Sequence, residues 1–260
     1  MAEIRPFRAL RFTDAAGRLQ ELTCPPYDII SESQRLSYLK RNPHNIIRLE
    51  LPRDGADPYA AAGETLRSWL EEGILRQDDE AAFYVYEIEF DLEGMSDISG
   101  MAGGRRSIVG LIAQVHLEEF SKGIVLPHEE TLSKAKEDRF NLMKATHCNF
   151  SDIYSLYMDD GGEEETLDIL GLAQREQPVS ELTDEAGLTH RLWAITDAGI
   201  VSAIQRRFTD TKLYIADGHH RYETALRYRD TLREQGILDT DAEYVMMMLV
   251  EMSHPGLVVF

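Results

Sequence analysis

Residues 212–226 read KLYIADGHHRYETAL, and the change of pattern inside this stretch decides the fold class. The apolar run 212–216 is a short strand, Asp217-Gly218 is a turn, and 219–234 is a helix carrying Ala225, Leu226 and Tyr228. One strand passes straight into one helix, so the chain mixes both element types. Downstream, residues 244–252 again read as a strand. Upstream, Asp197 caps a helix through Ile200, Ile204 and Phe208, and residues 179–183 and 188–196 form a hairpin about a turn at 184–187. The acidic run 163–165, after Gly161-Gly162, starts an amphipathic helix that ends near Pro178, and a strand at 152–158 precedes it. A polar segment with one apolar side runs from Thr131 through Phe140, Leu142 and Met143. Residues 83–90 and 107–117 pair as a long hairpin whose tip, 91–104, is rich in Gly, Met and Ser. Nearer the N-terminus, Ser31 and Gln34 form a capping box, and Asp57 followed by Pro58 opens a helix that Gly73 closes. With no internal repeat and no long linker, residues 1–260 are expected to form one α+β unit, a mixed sheet with flanking helices. The run 257–260 is apolar to its last residue, so the parent chain is expected to continue.

Composition narrows the function. A hydrophobic content of 43% over 260 residues is enough for a sizeable core. Against 46 Asp and Glu stand 27 Lys and Arg, a formal charge of −19, which repels phosphate backbones and anionic lipid. No nucleic acid and no membrane is therefore expected as a partner; a small-molecule substrate is. No apolar stretch approaches the ~20 residues of a bilayer span and no signal-peptide core opens the chain, so a cytoplasmic location is expected. Two distant cysteines, Cys24 and Cys148, give neither a disulfide framework nor a thiolate zinc site.

Three segments can carry chemistry. In 214–223, a strand, a glycine turn and a helix start bring backbone N–H groups, His219, His220 and Arg221 to the positive end of a helix dipole, which is an anion site in outline. The plainer alternative makes Asp217 a helix cap and the histidines polar surface. In 126–131, His128, Glu129, Glu130 and Thr131 put imidazole, carboxylate and hydroxyl together, with Lys134, Lys136 and Arg139 following to neutralise a polyphosphate. The alternative there is a helix start with a solvated basic face. In 24–30, two prolines stiffen a segment that presents Tyr27 and Asp28, either at a pocket edge or as a turn. Arg5 and Arg8 are an exposed pair or an anion clamp, and Cys24 has no neighbouring histidine that would make it a nucleophile.

The stretches IRPFRAL (4–10), CPPYDII (24–30), PHEET (127–131), DRFNLMKAT (138–146) and YIADGHHRYETAL (214–226) resemble the family catalogued as domain of unknown function 1015. More distantly, residues 217–221 resemble the phosphate-binding turn of the ParB, sulfiredoxin and free serine kinase superfamily. That likeness implies a ParB/sulfiredoxin-like strand-turn-helix in which Asp217, Gly218, His219, His220 and Arg221 contact nucleotide phosphates. The serine kinase branch implies phosphoryl transfer to a small hydroxylated amino acid. Sulfiredoxin chemistry is disfavoured because His219 stands where that turn carries a reactive cysteine, and ParB-like DNA binding by the charge of −19.

The leading expectation is thus an enzyme that uses ATP or ADP with Mg²⁺ to phosphorylate a small hydroxylated metabolite. Gly218, His219, His220 and Arg221 hold the nucleotide, while Asp217, His219, His220, Glu129 and Asp28 are the catalytic candidates, with either histidine able to serve as acid or base. Asp28 and Glu129 are candidates by chemistry alone. The rivals are a metal-dependent hydrolase or phosphatase using His128, His219 and His220, and a non-enzymatic nucleotide sensor built on the same turn.

Overall fold

The structure of the chain, a computed structural model, describes residues 2–91, 104–128, 133–159 and 165–257, without the side chains of 133–135. Glu129, Glu130, Thr131, the hairpin tip at 92–103 and the run 160–164 lie outside the described residues.

In chain order the strands are β1 (Ile4–Arg5), β2 (Leu10–Phe12), β3 (Leu75–Gln77), β4 (Phe83–Asp91), β5 (Arg105–His116), β6 (Val125–Leu126), β7 (Ile153–Tyr157), β8 (Ser180–Thr183), β9 (Thr189–Ile195), β10 (Leu213–Asp217) and β11 (Tyr244–Glu251). The helices are α1 (Leu19–Leu22), α2 (Glu32–Arg41), α3 (Ile47–Glu50), α4 (Pro58–Glu71), α5 (Ser133–Thr146), α6 (Thr166–Ala173), α7 (Ala198–Phe208) and α8 (His219–Glu234). Local chemistry starts several of them. Ser31 and Gln34 close a reciprocal capping box on α2. Asp57 accepts from the Tyr59 and Ala60 amides ahead of α4, whose first residue is Pro58, and Asp197 accepts from the Ile200 amide at α7.

Among the described residues one sheet has the strand order β6-β10-β7-β11-β5-β4-β9-β8, with β1 pairing β5 as its ninth strand. It is mixed: β10 runs parallel to β6 and β11 parallel to β7, while the other pairings are antiparallel. Alternation puts Phe83, Val85, Leu111, Ala113, Ile153, Ile215, Met247 and Leu249 on one face. Ile169, Ile204, Phe208, Tyr222 and Ala225 from α6, α7 and α8 cover it. A second core gathers Leu22, Leu49, Ala62, Leu66, Trp69 and Ile74. Helix α5 belongs to both cores, because Leu142 packs into the second while Met143 packs against the first. That double contact fixes the segment after α5, which forms one wall of the candidate site. No helix among the described residues is long and apolar enough to cross a membrane.

The expected hairpins are both present, but 180–183 and 189–195 extend the main sheet through β4 rather than standing apart. Helix α6 stops at Ala173, short of the expected end near Pro178, because the chain turns there through bonds from the Arg175 and Glu176 amides to Leu172 and Ala173.

The approach of α4 to α5 depends on Gly63, where a Cβ would lie 2.6 Å from the Ala145 carbonyl oxygen. A backbone atom cannot step aside as a side chain does. Gly63→Val is expected to lower stability by about 1–3 kcal/mol. Urea unfolding measures this, and an unchanged midpoint would show that the two helices separate freely.

Candidate functional site

Strand β10 ends irregularly, its register against β7 shifting between Ile215 and Asp217. Gly218 follows at φ 94°, ψ 24°, a left-handed conformation that costs glycine nothing and other residues dearly. A Cβ here would also lie 3.1 Å from Arg221 Cζ and Nε, so the guanidinium packs directly on this glycine. Gly218, not Asp217, is the N-cap of α8, and the helix starts without a side-chain cap. This corrects the reading of Asp217 as a capping residue. The left-handed glycine moves the cap one position on, and the Asp217 carboxylate instead accepts from Arg221 Nη2 at 2.5 Å. Arg221 Nη1 donates to the carbonyl oxygen of Asp152 just before β7. Asp217 stays open to solvent, with 69% of its side chain exposed against 19% for Arg221.

The histidines are not alike. His219 is buried, contrary to the polar-surface alternative, and its Nε2 accepts the His128 backbone N–H at 3.2 Å. The two rings meet edge to face with centroids 4.5 Å apart. His128 Nδ1 donates to the Ile215 carbonyl at 2.6 Å, which leaves Nε2 of a neutral ring with its lone pair. His128 itself is exposed and His220 half-buried. Segments 127–128 and 217–221 therefore meet at one turn, although 91 residues separate His128 from His219.

Beside the turn lies a cavity of about 40 Å³ whose wall includes Tyr27, Glu50, Arg139, Ser151, Arg221 and Thr224. The 24–30 segment reaches it through Tyr27, whose ring is stacked by Arg139 with Cζ 3.9 Å from the centroid. Asp28 is exposed and does not line it. Arg139 is buried rather than part of a solvated basic face; Nη1 donates to the Glu50 carbonyl at 2.8 Å and Nε to Asp138 at 2.8 Å. Lys136 pairs with Glu223 of α8 at 2.9 Å. Arg5 and Arg8 sit in structural contacts, Arg5 with Gln114 and Asp241 and Arg8 with the Asp78 carbonyl.

Glu50 and Asp152 were not singled out in the sequence. Burial pushes the Glu50 carboxyl above the usual carboxylate range, against the pull of the Ser151 hydroxyl that donates to it and of Arg139 and Arg221. Asp152 is raised too, first by burial and also by Asp217, with Arg221 opposing. The one available signal for Glu50 was its place between Leu49 and Leu51 in the stretch IIRLEL (46–51); Asp152 had none. Burial, then Glu50, drives the Cys24 thiol up to about 12, away from the thiolate form that a nucleophile needs. Among the described residues no group of three or more His, Cys, Asp or Glu is arranged to hold a metal ion.

Because the folded state favours protonated Glu50, its contribution to stability is full below the ordinary glutamate value and is lost as pH rises through the raised one. Glu50→Gln cannot ionise. Its stability relative to the parent protein is expected to improve from pH 5 to pH 8 in urea unfolding. A pH-independent difference would show that Glu50 ionises as readily in the fold as in the open chain.

No curated protein and no solved structure matches the chain. The family described as a protein of unknown function, DUF1015, matches residues 4–260, which includes the glycine turn, the His128 segment and every cavity residue named above. The chain belongs to the DUF1015 family.

Proposed function

We propose that this protein is a cytoplasmic, nucleotide-dependent phosphotransferase that uses ATP or ADP with Mg²⁺ to phosphorylate a small hydroxylated metabolite such as an amino acid. One observation carries the reading: the 16-residue helix α8 starts at a left-handed glycine without a side-chain cap, and a guanidinium packs on that glycine. Helix dipole, backbone amides and Arg221 then favour the same anion. The resemblance that the sequence of 217–221 bears to the phosphate-binding turn of the ParB, sulfiredoxin and serine kinase superfamily points the same way.

In this mechanism the terminal phosphate competes with Asp217 for Arg221, and the exposed Asp217 carboxylate would be the group to hold Mg²⁺, which would neutralise charge on the phosphates. The acceptor hydroxyl oxygen bonds to the terminal phosphorus as the bridging P–O bond breaks and the shortened nucleotide leaves. Its proton passes to a carboxylate. Asp152, raised by burial beside Arg221, suits that task better than the solvent-exposed Asp28. His128, fixed by Ile215, adds a ring nitrogen beside the turn.

The test is a calorimetric screen of ATP and ADP with Mg²⁺, followed by nucleotide consumption with a panel of hydroxylated amino acids. Binding with turnover is expected. Tight binding without turnover would replace this reading by a nucleotide sensor. Phosphate release from phosphoesters by protein carrying a metal on His128, His219 or His220 would replace it by a hydrolase.

A further inference from the structure

We infer that the cavity under Tyr27 is a binding site for a compact carboxylate, held between the guanidiniums of Arg139 and Arg221. Both arginines line a space whose wall also includes the apolar Leu142, Met143 and Phe150, in a protein whose net charge is −19. This is a local inversion of charge inside low-dielectric walls, the condition under which an anion gains most from fixed cations. The carboxylates that pair with these arginines stand elsewhere. Asp138 is 45% and Asp217 69% exposed, and neither lines the cavity. Glu50 is the one acidic group in the wall, and burial opposes its ionisation. It faces the arginines as a hydrogen-bonding group that suits a ligand hydroxyl or ammonium.

Size sets the class. A cavity of about 40 Å³ holds roughly three water-sized groups, enough for a carboxylate head and its neighbouring carbon and far too small for a nucleotide base. The nucleotide must then stay outside, at Gly218, with Arg221 between the two ligands.

The wall is also held at a cost. His147, just past the end of α5, has φ 54°, a left-handed conformation that a non-glycine residue adopts only under constraint, and the Tyr228 hydroxyl holds its Nδ1 at 2.5 Å. Segment 148–151, which lines the cavity, hangs from that residue.

That this carboxylate is the phosphoryl acceptor rests on the phosphotransferase reading; the carboxylate site itself does not. Calorimetric titrations of the whole chain with glycolate, lactate, glycerate and glycine, beside ethylene glycol and acetamide, test it, with ADP titrated separately. At least one carboxylate is expected to bind and the neutral compounds are not. Arg139→Lys keeps the charge but loses the planar fork and the stacking on Tyr27, so carboxylate affinity is expected to drop about tenfold with ADP affinity nearly unchanged. Should Arg139→Lys fold poorly, Tyr27→Ala removes the roof from a half-buried position and is expected to weaken the same ligand. No carboxylate binding beside normal ADP binding would overturn the site and leave the nucleotide reading standing. Carboxylate binding that both folded variants retain in full would also overturn it. Carboxylate binding lost in the variants, in a protein that never binds ADP, would uphold the site and remove the phosphotransferase.

Discussion

Arg221→Ala is expected to cost about 1.5–3 kcal/mol of ATP and ADP affinity, roughly ten- to a hundredfold, the scale of a hydrogen bond to a charged group. The guanidinium is fixed by the Asp217 carboxylate, by the Asp152 carbonyl and by its packing on Gly218. It is therefore oriented before any ligand arrives, and little entropy is lost when phosphate binds. In titrations without Mg²⁺, removing it also leaves Asp217 facing the phosphates with no guanidinium between them, so repulsion adds to the lost bond. The fold should also lose about 1–3 kcal/mol, because Arg221 is mostly buried and the Asp152 carbonyl loses its donor. Arg221→Lys should fall between, because an ammonium cannot offer the paired N–H geometry. Calorimetry beside urea unfolding separates binding from stability, and unchanged affinity in Arg221→Ala would remove the phosphate role.

Asp217→Asn should separate activity from stability more sharply. The carboxylate is mostly exposed and caps no helix, so its replacement is expected to change stability by less than about 1 kcal/mol. An amide cannot hold Mg²⁺ as a carboxylate does, so turnover is expected to fall about a hundredfold or more. Melting temperature and nucleotide consumption with hydroxylated amino acids measure both. Full activity would sink the catalytic assignment. Had Asp217 been the cap, the pattern would be the reverse, with lost stability and intact turnover.

The sequence was most legible where structure is set locally. Ser31 with Gln34, Asp57 with Pro58 and Asp197 each satisfy nearby amides, and each starts a helix where its chemistry says it should. Alternation in 153–157 follows from burial on one face, so that strand was readable too, whereas 83–91 begins with Phe83, Tyr84 and Val85 all buried and shows no such alternation of burial. Two- to four-residue elements such as β1, β3 and α3 carry no period to read. The site was legible in its pieces and not in its assembly. Which residue of CPPYDII turns inward is settled by Arg139, more than a hundred positions away, stacking on Tyr27 and leaving Asp28 in solvent. Arg139 looked like one of three solvated cations until its bond to the Glu50 carbonyl is seen. Asp152 enters only because Arg221 reaches its carbonyl just before β7. The cap misreading at Asp217 has a different origin: sequence shows Asp before Gly, but only the backbone shows that the glycine is left-handed and takes the cap position.

The most direct measurement is a crystal structure of the protein with a non-hydrolysable ATP analogue and Mg²⁺. Phosphate oxygens are expected within hydrogen-bond distance, roughly 2.7–3.2 Å, of the backbone amides at the start of α8 and of Arg221, with the base outside the Tyr27 cavity. Phosphates bound elsewhere, with Arg221 still gripping Asp217 and the α8 start untouched, would contradict the assignment of this turn.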